Sequence, residues 1–317
     1  MTDTRVHRAV CEVTASAPAG VLYGLLADAT QWPLFFQPCL HVEQLDFDGT
    51  HERLRMWASA GENIASWVSS RRLDVGRHRV EFCQDVTAAP VQSMRGVWTV
   101  KPLGDRCHVT LEHEFTVAGD DPADVARLKQ ITHTNSRAQL DRLAWLAERW
   151  ARLDDLVLSF EDTLRLKGPA ELVFDFLYRA ADWPGQLPHV HTTQLVEDAP
   201  GVQVMTMGST TSDGTVHRTE SVRMSFPGAG RLVFKQTRTA ALLAAHTGEW
   251  TVDPDESGVQ VTARHTVLLR EEAIEQVLGP GASVADARRH LREELGGACL
   301  AVLHHAARHA TGAVRVL

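Results

Sequence analysis

Gly96-Val97-Trp98-Thr99-Val100 returns 152 residues later as Gly248-Glu249-Trp250-Thr251-Val252. The same shift carries Arg71 onto Arg223, Val109-Thr110 onto Val261-Thr262, and His113 onto His265. Upstream, Ala29-Thr30-Gln31-Trp32-Pro33 matches Ala180-Ala181-Asp182-Trp183-Pro184 at a shift of 151, and Pro38 and His41 match Pro188 and His191 after a one-residue gap. A single shift that holds from 71 to 113 is not chance, and a period this long is a duplicated domain rather than a solenoid repeat.

Each copy reads alike. An opening strand (6–14; 156–166) leads into a short amphipathic helix, entered at Ala17-Pro18-Ala19 or Gly168-Pro169-Ala170, where proline suits the first turn. Val21, Leu22, Leu25 and Leu26 form its buried stripe in the first copy, and Leu172, Val173, Phe176 and Leu177 in the second. A Trp-Pro loop follows, and then alternating strands separated by Gly or Asp turns, such as Asp48-Gly49, Leu103-Gly104-Asp105, Asp213-Gly214 and Ser257-Gly258. A long helix closes each copy (122–150; 284–310). In the first, Val125, Leu128, Leu140, Leu143, Ala147 and Trp150 recur at helical spacing. The predicted class is α+β. It consists of two tandem domains, 1–151 and 156–317, joined by a linker near 151–155, each a curved antiparallel sheet around a long C-terminal helix with an internal cavity.

The chain has 317 residues and a net charge of −8. Divided after Leu156, each half is −4, so neither offers a basic face for nucleic acid or membrane phosphate. The start has no apolar signal core, and no apolar run approaches the roughly 20 residues of a membrane helix. Five scattered cysteines, with no CxxC pair, fit reduced thiols and a cytoplasmic location. The sixteen histidines include no HExxH and no zinc-type Cys/His spacing, and His304, His305 and His309 read as a solvated or packing face. No Gly-rich phosphate loop is present. Neither a metal nor an organic cofactor is expected.

Strand alternation sorts the chemistry by face. Val109, Leu111, His113, Phe115 and Val117 share one face, as do Val261, Ala263, His265, Val267 and Leu269. A satisfied core histidine would explain either copy; recurrence on both apolar faces raises the alternative of a functional pair. Trp67, Ser69, Arg71 and Leu73 share a face, and a buried guanidinium there needs oxygen partners that a ligand can supply. The second copy keeps Ser221 and Arg223, but Thr219 stands in place of the Trp, and the other face (Val222, Met224, Phe226) is the apolar one. Arg223 is therefore either inward or an exposed structural residue. Trp32, Trp98, Trp183 and Trp250 supply flat apolar walls or plain core.

The Trp-Pro loop, Trp67-x-Ser69-x-Arg71 and Gly-x-Trp98 resemble the polyketide aromatase/cyclases of bacterial type II aromatic polyketide synthases. The tandem copies resemble the di-domain members, also described as bifunctional cyclase/dehydratases. The resemblance covers nearly the whole chain and implies the START-like helix-grip fold. It implies first-ring closure between carbons seven and twelve, then dehydration and aromatisation, on a ketoreduced poly-β-ketone. That chain is borne by an acyl carrier protein, with the minimal synthase and a ketoreductase as partners. Carried over residue by residue, Arg71 and Arg223 are the cavity arginines. With His113 and His265 they form the catalytic set. Trp32, Phe36, Trp67, Ser69, Trp98 and Asn135, with Trp183, Ser221 and Trp250, line the substrate site. Asp141 is a second candidate for the polar group on the closing helix. Gly296-Gly297 align near Asn135-Ser136 and leave the second cavity without an equivalent side chain, so more of the chemistry is expected in the first domain. Arg would hold a developing oxyanion, and His, with an ordinary pKa near ~6.5, would move protons. The competing reading is a non-catalytic carrier or chain-folding chaperone of the same fold.

Overall fold

Asp121 and Ser283 begin the two long helices. The Asp121 carboxylate accepts from the backbone N–H groups of Ala123 and Asp124, ahead of Pro122 in the first turn. Ser283 Oγ accepts from Asp286 N–H while the Asp286 carboxylate accepts from Ser283 N–H, a reciprocal capping box. The computed structural model describes residues 5–61, 63–211 and 214–314; the expected ends at 1 and 317 and the turn residue Asp213 lie outside the described residues.

The elements run β1 (His7–Ala15), α1 (Ala19–Ala27), α2 (Trp32–Phe35), β2 (Cys39–Phe47), β3 (His51–Ala60), β4 (Asn63–Asp74), β5 (Arg79–Val86), β6 (Val91–Leu103), β7 (Arg106–Val117) and α3 (Pro122–Glu148). They continue through α4 (Leu153–Leu156), β8 (Val157–Leu166), α5 (Ala170–Tyr178), β9 (Val190–Ala199), β10 (Val202–Thr210), β11 (Val216–Phe226), β12 (Arg231–Arg238), β13 (Leu243–Asp255), β14 (Gly258–Leu269), α6 (Ile274–Leu278) and α7 (Val284–Val314). The chain divides into two compact units, Met1–Leu153 and Asp154–Leu317. Each holds one seven-stranded antiparallel sheet, ordered β1-β7-β6-β5-β4-β3-β2 in the first and β8-β14-β13-β12-β11-β10-β9 in the second. The identical order is the duplication seen in three dimensions. In the first unit α3 packs on β1 and β7; in the second α7 packs on α5 and β8.

The repeated Gly-x-Trp has a steric cause. A Cβ at Gly96 would collide with the Phe82 ring and Glu112 O, and one at Gly248 with the Phe234 ring and Arg264 O. Each glycine lets a phenylalanine from the neighbouring strand lie across the sheet, while Trp98 and Trp250, two residues on, enter the core. The stripes expected on the helices are largely buried: Leu22 and Leu26 on α1, Val173, Phe176 and Leu177 on α5, and Leu140, Leu143 and Ala147 on α3. Trp150 departs from this. The helix stops at Glu148, and Trp150 sits in a separate 3-10 turn, 51% exposed. The Trp-Pro loop of the first unit is wound into one helical turn, α2; in the second it stays a turn. All five cysteines are free thiols.

Candidate functional site

Each sheet and its long helix enclose a cavity, of about 540 Å³ in the first unit and about 450 Å³ in the second. Trp32, Trp67, Ser69, Arg71, Trp98, His113 and Asn135 line the first; Trp183, Ser221, Arg223, Trp250 and His265 line the second. Phe36 does not reach the first cavity. It is fully buried behind Trp32, edge-on at 5.5 Å between ring centroids, and belongs to the core. Asp141 faces outward, 3.7 Å from Arg137, so Asn135 is the candidate of that pair on the cavity wall. Asn135 Nδ2 donates to Ser59 O (3.1 Å) and ties α3 to the end of β3.

Both arginines are inward and buried, which settles the direction of Arg223. Their partners repeat the duplication. Arg71 Nη2 donates to Leu26 O (2.6 Å) and Ala27 O (3.2 Å), the free carbonyls at the end of α1. Arg223 Nη2 donates to Leu177 O and Nη1 to Tyr178 O (3.2 Å), at the end of α5. The helix C-terminus favours a cation at that place. Trp32 lies under the Arg71 guanidinium at 4.8 Å and donates its Nε1–H to Leu25 O; Trp183 lies under Arg223 at 5.6 Å and donates to Phe176 O. The two copies differ in the acid partner. Glu52 sits directly against Arg71 in the first. In the second, Gln203 Oε1 accepts from Arg223 Nη1 (2.8 Å), and Glu197 stands one group further out on Gln203 Nε2. Burial lowers both guanidinium pKa values to about 10, which leaves them charged at neutral pH.

His113 lies against Phe82, edge-on at 5.4 Å, and its Nδ1 is buried without a hydrogen-bond partner. Of the two readings open from the sequence, a satisfied core histidine therefore does not describe it. Nor does the ordinary pKa: burial lowers it to about 4, so the imidazole is neutral throughout the physiological range and offers one lone pair and one N–H. Ser69 Oγ donates to Cys83 O (3.0 Å), so its hydrogen is used within the sheet.

Sequence reasoning missed His246. Its Nε2 lies 3.0 Å from His265 Nδ1, and both rings are buried on the wall of the second cavity. The signal was present: the shift of 152 that carries His113 onto His265 carries Met94 onto His246. A search for residues kept in both copies passes over one gained in a single copy. The partners of the arginines, Glu52 and Gln203, were missed for a related reason, since their pairing is made across strands. Among the described residues no group of three or more His, Cys, Asp or Glu is placed to hold a metal, and no helix is long and apolar enough to cross a membrane.

Residues 15–144 match the family model described as polyketide cyclase/dehydrase and lipid transport. The granaticin polyketide synthase bifunctional cyclase/dehydratase of Streptomyces violaceoruber is 44% identical over 306 residues, spanning 95% of this chain and 94% of that protein. The chain belongs to the family of polyketide synthase bifunctional cyclase/dehydratases. The actinorhodin polyketide synthase bifunctional cyclase/dehydratase of Streptomyces coelicolor is 42% identical to this cyclase/dehydratase, over 95% of this chain and 96% of that one. The crystal structure of the di-domain ARO/CYC BexL from the BE-7585A biosynthetic pathway superposes with a TM-score of 0.84 at 39% identity, covering 96% of this chain and 98% of that one. The sequence-based assignments of family, fold class and cyclase/dehydratase activity agree with these relatives.

Proposed function

We propose that the protein binds a ketoreduced poly-β-ketone carried by an acyl carrier protein, that its first cavity closes the first ring between carbons seven and twelve, and that dehydration to the aromatic ring follows. The minimal synthase and ketoreductase supply that substrate. The observation that carries this reading is the unpartnered Nδ1 of His113, buried at the wall of a cavity flanked by Trp32, Trp67 and Trp98. A buried polar atom left open is costly unless something arrives to pair with it.

A methylene between two ketones is acidic enough for a neutral imidazole. The lone pair of His113 takes its proton, the C–H electrons become an enolate, and the enolate carbon attacks the distal carbonyl. The resulting alkoxide recovers the proton from the imidazolium. Imidazolium beside an enolate is an ion pair, so the negative charge offsets the burial that holds the free group near 4. Loss of the ring hydroxyl with an adjacent hydrogen gives water, and aromaticity drives that step. The tryptophan walls keep bulk water from the reactive ketones.

Arg71 enters this proposal first as a positioning residue. Its Nη2 is already shared between two helix carbonyls and Nη1 faces Glu52, while its buried Nε, without a hydrogen-bond partner, is the donor left for a developing oxyanion. It fixes the end of α1 and holds Trp32 flat at the wall. The test is reconstitution of His113→Gln with synthase, carrier protein and ketoreductase, with products compared against wild type and against omission of the protein. General acid–base loss of roughly 100- to 10,000-fold in ring formation is expected. A folded variant that still delivers the aromatised product at the wild-type rate would overturn the assignment.

A further inference from the structure

The second cavity holds more unpaired polar chemistry than a relic of duplication needs. His246 on β13 and His265 on β14 share one hydrogen bond, Nε2 to Nδ1 at 3.0 Å, and are 2% and 6% exposed. Their outer nitrogens, His246 Nδ1 and His265 Nε2, are buried with no hydrogen-bond partner. Gln236 on the adjacent β12 also lines the cavity with a buried, unpartnered Oε1. The first unit has Met94 where His246 stands.

The surroundings are built to hold His265. Phe160 stacks on its ring at 5.2 Å, where the register of the first unit places Ala9 opposite His113. Arg292 of α7 covers Phe160 at 4.4 Å and grips Asp162 with two hydrogen bonds (3.1 and 2.6 Å). Gly296, which from the sequence looks like a lost catalytic side chain, is what admits that grip: a Cβ there would collide with Arg292 Nη1. Cys299 beside this pair is pushed up to about 12 by burial and stays a thiol, so it does not compete for the proton.

We propose that the second cavity is an acid–base site of its own, in which His265 is the catalytic residue and His246 its positioning partner, and that it removes water from a β-hydroxy ketone. The proposal rests on the polyketide reading of the ligand. In the working tautomer His265 Nδ1–H donates to His246 Nε2, which leaves His265 Nε2 with a free lone pair. That nitrogen takes the proton α to the ketone. The C–H electron pair forms the new C=C bond, the β C–O bond breaks, and the same proton returns from Nε2 to the departing oxygen as water. His265 is cationic only between these events, and its charge is then shared across the hydrogen bond to His246. Burial supports this, since it lowers the His265 pKa to about 4 and keeps the lone pair free at neutral pH. Asp162 opposes that lowering, while Arg292 adds to it. His246 is also held well below its ordinary value, by burial first and by His265. Arg223, Glu293 and Glu294 are the other charged groups on the cavity wall, with His189 and His217.

The full chain is tested with His265→Gln, His246→Met and His246→Gln in the reconstituted synthase, ketoreductase and carrier-protein system. His246→Met copies the first unit, and His246→Gln retains an acceptor. The expected result is a build-up of hydrated cyclised product, with dehydration slowed at least 100-fold in His265→Gln and His246→Met and partly rescued in His246→Gln. Dehydration at the wild-type rate in folded His265→Gln, or equal rates in the two His246 variants, overturns the proposal. Nitrogen-15 NMR of labelled histidine reads the pair without any substrate. A pyridine-type Nε2 on His265, lost from a single tautomer in His246→Met, is expected; a protonated Nε2 in the wild type overturns the assignment. If wild-type protein leaves the product mixture as it is without protein, the polyketide reading fails, and the NMR still decides the histidine pair.

Discussion

Arg71 Nη1 lies 3.2 Å from Glu52 Oε1, and both side chains are closed off from solvent. Removing one partner of a buried pair strands the other charge, typically at a cost of ~3–5 kcal/mol. Arg71→Ala should destabilise the protein by that order. Arg223→Ala strands only the Gln203 amide and two helix carbonyls, groups whose loss of a partner costs ~1–3 kcal/mol. Glu52→Gln rebuilds the first unit on the pattern of the second and should cost less than Arg71→Ala. Denaturant midpoints of the three variants check the order; an Arg223→Ala loss equal to that of Arg71→Ala contradicts it.

Gly96→Ala and Gly248→Ala push a methyl into Phe82 or Phe234 and into a strand carbonyl that cannot retreat. Overpacking of this kind costs ~1–3 kcal/mol. Thermal unfolding should show both variants below wild type, whereas Gly20→Ala, which meets nothing within 4 Å on α1, should not fall.

Asn135→Ala breaks the bond from α3 to Ser59 O at the wall of the first cavity. Its net worth is ~0.5–1.5 kcal/mol. Because it shapes the chamber and touches no reacting atom in the proposed scheme, KM should rise several-fold while kcat stays within about twofold. Steady-state kinetics on a carrier-bound or simplified polyketide check this; a fall in kcat with KM unchanged would place Asn135 in the chemistry instead.

The fold was legible because duplication doubles the signal: every strand face and helix stripe could be read twice. Tertiary closure set the limits of that reading. Phe36 and Trp32 are four residues apart on the same turn, and only the packed helix shows which one reaches the cavity. The Arg71 motif is visible as a pattern, but its partners, Leu26 O, Ala27 O and Glu52, come from other elements. His246 was hidden because its importance lies in a neighbour on the next strand, not in its own recurrence. The ordinary histidine pKa assumed for His113 failed because desolvation depends on what closes over the ring, which periodicity does not report.

Burial also sets an acid limit on stability. His113 and His265 are lowered from 6.5 to about 4, and burial also holds His246 well below its ordinary value. In the window between about pH 6.5 and pH 4 the unfolded chain binds protons at these positions that the folded chain refuses. Stability therefore rises with pH across that window and falls as acid is added. A shift of this size corresponds to on the order of 3 kcal/mol for His113 by pH 4. Urea midpoints measured at pH 7 and pH 4.5 should drop more for wild type than for His113→Gln, which has no proton to bind in either state. His246→Met should flatten the profile in the same direction. A His113→Gln protein that loses as much stability as wild type between those two pH values would show that its imidazole is not held neutral by the fold.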